Sequence, residues 1–102
     1  MLIAHDLGTT GDKASLHALD GTMLGSATVS YATAYGTRAE AEQNPSDWWQ
    51  AVCEATRRLL ATTGTSPSDV TGICVGGTMM GVVLVDHTGA PLRPAMIWAD
   101  QR

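Results

Sequence analysis

Apolar and polar positions divide this chain into short alternating stretches separated by glycine-bearing turns. Leu2 to His5 is a short apolar run that stops at Gly-Thr-Thr-Gly, after which Ala14, Leu16 and Ala18 alternate with Ser15 and His17 up to Asp20-Gly21. The pattern predicts strand, glycine turn, strand. Glycine tolerates positive φ, so Asp20-Gly21 suits a tight hairpin, and the β-branched and small residues from Met23 to Tyr31 extend the meander by a third strand.

Ala32 to Gln43 has mixed polarity and no sustained period, and it leads into "AEQNPSDWW". Asn44 can cap, Pro45 fits the first helical position and Asp47 faces the helix dipole, so a helix starts here. Its apolar positions, Trp48, Val52 and Leu59 with Trp49, Cys53 and Leu60, recur at helical spacings up to Gly64. They predict an amphipathic helix covering a sheet, with both tryptophans in the core. "SPSD" then turns the chain, Val70 to Val75 reads as a buried strand ending in Gly76-Gly77, and Gly81 to Asp86 reads as another. The order β-β-β-α-β-β describes an α/β domain with a mixed sheet and one helical cover, whose sheet still lacks partners.

Composition narrows the function classes. The chain has 102 residues, 44% of them apolar, enough for one folding unit. A net charge of -4 with only six scattered basic residues gives no footprint for nucleic acid or an acidic membrane. Cys53 and Cys74 form no CxxC, and His5, His17 and His87 share no ligand spacing with them or with each other. They read as free thiols and isolated histidines, without a protein-built zinc site or a catalytic histidine. No basic-then-apolar leader and no bilayer-length apolar run is present, so a soluble cytoplasmic protein is expected.

The stretch "DLGTTGDKAS", Asp6 to Ser15, carries the chemistry. An acid at the end of a strand, followed by a glycine turn into an antiparallel strand, gathers backbone N–H groups, two hydroxyls and a carboxylate around one small concavity suited to Mg-bound phosphate. Gly8 and Gly11 let main chain approach a ligand, Thr9 and Thr10 can donate to phosphate oxygens, Lys13 can offset charge, and Asp6 would hold magnesium through water. A Walker loop enters a helix and a GxGxxG turn does likewise; here a strand follows, so neither applies.

With these residues in place, the chain resembles, from end to end, the N-terminal part of the FGGY carbohydrate kinases of the actin, hexokinase and sugar-kinase superfamily. Four ordered motifs carry the resemblance: "DLGTTGDKASL", "AEQNPSDWWQAVCEATRRLL", "GTMMGVVLVD" and "IWADQR". Within the family the third motif is nearest the xylulokinase branch, where the pattern is Gln-Met-His-Gly. Thr78-Met79-Met80-Gly81 stands there, while the Gln-Arg-Glu of glycerol kinases does not. Met80 in place of histidine exchanges a hydrogen-bonding group for a thioether that packs.

The resemblance implies a partial ribonuclease-H-like, actin-like ATPase fold, with residues 1–102 as an incomplete portion of the first lobe. It implies ATP and Mg²⁺ as cofactors and a sugar or polyol substrate, D-xylulose first and another pentose, pentitol or tetritol otherwise. Met79, Met80, Trp98 and Asp100 then face the sugar, with Arg102 on the same edge. The family's general-base aspartate lies further downstream and its adenine pocket in a second lobe. An unpaired sheet edge invites a homodimer. A rival of another class, a non-catalytic actin-like nucleotide switch, shares the phosphate turn but has no need of the motif after Gly76.

Overall fold

The computed structural model describes residues 1–102. Strands β1 (Leu2–Leu7), β2 (Gly11–His17) and β3 (Met23–Ser30) form the expected antiparallel meander, and β6 (Gly72–Gly77) adds to β1 in parallel. The sheet is therefore mixed, in the order β3-β2-β1-β6, with β3 and β6 at its edges. Two short strands lie between β3 and the helix, β4 (Ala34–Tyr35) and β5 (Ala41–Gln43), and with β7 (Ala95–Met96) they make a second sheet, β4-β5-β7.

The helix α1 (Pro45–Thr63) begins as the sequence predicts. Asn44 is extended, its side-chain oxygen accepts from the Ser46 N–H at 3.1 Å, and Pro45 occupies the first turn. Gly64 ends it in the left-handed region, φ 65°. The buried stripe is Ala51, Ala55 and Leu59, rotated from the expected one. Small alanines let the helix axis come close to β2 and β3, on which it packs, and the larger side chains on either side of the stripe stay partly in solvent. Trp49 is accordingly 69% exposed rather than core, and Trp48 is half-buried. Ile3, Ala14, Leu16, Ala55 and Leu59 form the core between helix and sheet.

Two other expectations are corrected. The strand predicted at Val70 to Val75 runs two residues later and is not buried: Ile73 and Val75 are 62% and 56% exposed. The parallel register pairs Ile73 with Ile3 and Val75 with His5, so both share the helix-covered face, but α1 lies over β2 and β3 and does not reach them. Gly81 to Asp86 is no strand. It touches the remainder through isolated bridges, Val82 to Met96 and Val85 to Pro91.

His5 is also not the isolated strand histidine that the sequence suggests. His5 and Asp12 share the helix-covered face, fully buried, with Nδ1 2.8 Å from Asp12 Oδ2. Cys53 and Cys74 are free, and no helix is long and apolar enough to cross a membrane.

Candidate functional site

Because β1 and β6 run parallel, their carboxyl ends meet at one edge, Asp6 opposite Gly76 and Leu7 opposite Gly77. Open α/β sheets bind ligands at such an edge. The turn after β1 and the segment after β6 leave the sheet side by side there, held by the Leu7 carbonyl, which accepts from both Thr78 N–H (3.0 Å) and Thr78 Oγ1 (2.9 Å).

The turn itself is closed by the Gly8 N–H donating to the Gly11 carbonyl at 3.0 Å. None of the chain's turn and loop hydrogen bonds uses the N–H of Thr9 or Thr10, so two donors point away from the protein's own acceptors. Unpaired backbone donors at a glycine turn form an anion-binding concavity. Asp6 is exposed beside it, in register with exposed Lys13 on β2.

The two glycines have different jobs. A Cβ on Gly11 would sit 2.6 Å from the Val29 carbonyl oxygen and 2.9 Å from Ser30 Cα, both backbone of β3, whereas one on Gly8 would meet nothing nearer than 3.6 Å. Gly11 is required by strand packing and Gly8 is spared for the open side of the turn. Gly11→Ala is expected to destabilise the fold by about 1–3 kcal/mol, read as a lower urea midpoint, with Gly8→Ala near wild type in the same measurement.

Residues that the sequence did not single out fasten the turn. Tyr31 Oη donates to the Gly8 carbonyl at 2.5 Å, and burial, with the Asp12 and Asp6 charges nearby, pushes its phenol above the usual range. Gln43, buried on β5, donates through Nε2 to the Thr9 carbonyl and to Thr33 Oγ1, each at 2.7 Å, while its Oε1 accepts from Trp48 Nε1 at 2.9 Å. The only sequence signal for Gln43 is its place just before the Asn-Pro cap.

On the opposite wall, Met80 lines the cavity and Met79 does not; they are 83% and 77% exposed, and Met80 adopts φ 61°, a left-handed conformation uncommon for a side chain of its size. A cavity of about 300 Å³ separates this wall from the turn, lined by Leu7, Gly8, Tyr31, Gln43 and Trp48 on one side and by Thr78, Met80 and Gly81 on the other. A larger groove of about 580 Å³ beside α1, with Trp49, Glu54 and Arg57, meets the site only through Tyr31.

Trp98 follows β7, and its Nε1 donates to Thr9 Oγ1 at 3.0 Å, so it reaches the turn, while the cavity is lined by Met96 and Ile97 before it and not by Trp98 itself. Asp100 is held by protein. Its Oδ2 accepts from the Ala41 N–H (2.9 Å) and Arg102 (2.6 Å), its Oδ1 from Arg102 Nε (3.0 Å), and the Arg102 guanidinium, followed by the Ala41 N–H, keeps its carboxyl well below the usual carboxylate range. Arg102 also meets Glu42, which pairs with Arg93. This network pins the segment from Ile97 to Arg102 onto β5.

No group of three or more His, Cys, Asp or Glu side chains could cage a metal. A single exposed carboxylate beside unpaired amide donors fits a magnesium ion that keeps most of its waters and is shared with phosphate oxygens.

A solved structure of xylulose kinase from Rhodospirillum rubrum superposes with a TM-score of 0.88 at 34% identity, covering 98% of this chain and 20% of that one. The fold is that of the actin-like ATPase domains found in sugar kinases. The family model for the N-terminal domain of the FGGY family of carbohydrate kinases matches residues 1–102. The chain belongs to the FGGY carbohydrate kinases. Curated relatives include the xylulose kinases of Staphylococcus xylosus, 35% identical, and Bacillus subtilis, 34% identical, each aligned over 99% of this chain and 20% of the relative. The chain thus spans about a fifth of the length of the relatives it matches.

Proposed function

We propose that residues 1–102 are the N-terminal portion of the first lobe of an ATP-dependent carbohydrate kinase acting on a ketopentose, D-xylulose before other pentoses, pentitols or tetritols. The observation that carries this reading is the meeting of two segments at the carboxyl ends of β1 and β6: the turn from Gly8 to Gly11, with two unpaired amides next to the exposed Asp6, and the segment from Thr78 to Gly81, with one cavity lined by Gly8 of the first and by Thr78, Met80 and Gly81 of the second. The names of the relatives support the choice of sugar.

Phosphoryl transfer needs little covalent help from protein and depends on position and charge. The Thr9 and Thr10 amides and hydroxyls would receive phosphate oxygens, and Lys13, in register with Asp6, would offset charge. Asp6 would hold Mg²⁺ through water, and the ion would supply neutralisation of the phosphate charge. Met80 would give the sugar an apolar wall inside the cavity, with Met79 and Trp98 exposed outside it to meet the rest of the substrate. Asp100, with its oxygens already engaged, serves this wall by fixing the segment that carries Trp98.

A coupled assay of the complete enzyme over ketopentoses, pentitols and tetritols tests the reading. ATP-dependent phosphorylation of a ketopentose is expected, and Met80→His is expected to move the preference towards D-xylulose by about tenfold or less, the worth of one hydrogen bond. Failure to phosphorylate any of these compounds would overturn the kinase reading, and a panel unmoved by Met80→His would detach position 80 from specificity.

A further inference from the structure

The second sheet reaches the phosphate turn at one residue. Thr9 is held at both of its oxygens: its carbonyl accepts from Gln43 Nε2 at 2.7 Å and its hydroxyl accepts from Trp98 Nε1 at 3.0 Å. Gln43 stands on β5 and Trp98 just beyond β7, and these strands pair, Gln43 opposite Ala95. Both donors therefore come from the second sheet and the residues just after it, and that sheet is bridged through Met96 to Val82, the residue following the Thr78 to Gly81 wall. Gln43 is only 4% exposed, and both ends of its amide are engaged, so its orientation is fixed.

The chemistry of the Trp98 contact is directional. An indole N–H can only donate, and a threonine hydroxyl has one proton and two lone pairs. With a lone pair of Thr9 Oγ1 taken by Trp98, the hydroxyl's own proton is left to donate to an oxygen outside the protein. We propose that Trp98 and Gln43 are positioning residues that act on phosphate binding through Thr9, so that the second sheet sets the geometry of the phosphate turn. This rests on the kinase reading above for the identity of the anion, a nucleotide phosphate, but not for the contact itself.

The test uses the complete protein and Trp98→Phe, which keeps an aromatic ring at an exposed position and removes the N–H. Calorimetry with Mg-ATP is expected to give a Kd raised about three- to tenfold, the value of one hydrogen bond. In the kinetic assay the KM for ATP rises in step. Thr9→Val weakens Mg-ATP binding by itself, and adding Trp98→Phe to it is expected to bring no further loss, because the second change acts only through the first.

Unchanged Mg-ATP affinity in Trp98→Phe would overturn the proposal, as would a rise confined to the sugar KM, which would leave Trp98 as wall alone. Full additivity of the two substitutions would overturn it too. Calorimetry decides the point even if no sugar is phosphorylated by the wild type, a result that would sink the kinase reading separately.

Discussion

On the kinase function proposed above, Asp6→Ala in the complete protein is expected to lower kcat about a thousandfold while the KM for sugar stays within about twofold. Asp6 ends β1, stands exposed beside the turn, and lies across the register from Lys13. It is the carboxylate the site offers next to the unpaired Thr9 and Thr10 amides, and the chain has no cluster able to cage a metal. Neutralising the charge of a transferring phosphoryl group is worth several kcal/mol in the transition state, and about 4 kcal/mol corresponds to three decades of rate. The segment proposed to face the sugar, Thr78 to Gly81, follows β6, so sugar binding should hardly notice the change. Asp6→Asn keeps the shape and removes the charge, and it should fall nearly as far. Steady-state kinetics with saturating ATP and Mg²⁺ measures both constants. Normal turnover with weakened sugar binding would place Asp6 on the wrong side of the cavity.

What could be read from the sequence was the part whose cause is local. The alternation from Ala14 to Ala18 and the Asn44-Pro45 cap each specify their element without a distant partner, and β2 and α1 stand where those signals put them. Strands β4 and β5 were invisible because two or three residues carry no period; they exist through pairing with each other and with β7, which lies more than fifty residues downstream of β5. The opposite error occurred at Gly81 to Asp86, where continuous apolarity suggested a strand but backbone pairing is limited to two bridges. Apolarity says what a segment avoids and leaves open which backbone it meets.

The same division runs through the site. Asp6, Thr9 and Thr10 are contiguous with the turn, so their grouping is guaranteed by the chain. Gln43 and Tyr31 reach the turn only because β5 and the end of β3 fold onto it. Asp100 was placed among the sugar ligands by its motif, yet a sequence cannot reveal that Arg102 and the Ala41 amide occupy its oxygens.

His5→Ile alone is expected to destabilise the complete protein by about 3–5 kcal/mol, and His5→Ile with Asp12→Val to recover most of that loss. The pair is invisible in the sequence because it depends on register: His5 is opposite Ala14, and Asp12 comes two residues further along the same face of β2. Both side chains are fully buried. Thr56 Oγ1 donates to the Val52 carbonyl at 2.8 Å, so at 3.2 Å from His5 Nε2 it is placed to accept. The imidazole thus bridges Asp12 on β2 and Thr56 on α1, and ties the base of the phosphate turn to the helix. Removing His5 strands the Asp12 carboxylate without a partner in the core, and an unpaired buried charge is among the most costly defects a fold can carry. Asp12 Oδ1 already lacks a hydrogen-bond partner, so the native pair is itself imperfectly satisfied. Two aliphatic side chains on the same face, above Ile3, Ala14 and Leu16, replace that defect with ordinary packing. Asp12→Val alone should cost less than His5→Ile, about 1–3 kcal/mol, because a neutral imidazole left with one nitrogen unpaired is a smaller burden than a carboxylate. Urea titration of the four proteins, followed through the first unfolding transition, gives the cycle. A loss below about 1 kcal/mol for His5→Ile, or strict additivity in the double variant, would show that the pair is not coupled as its geometry requires.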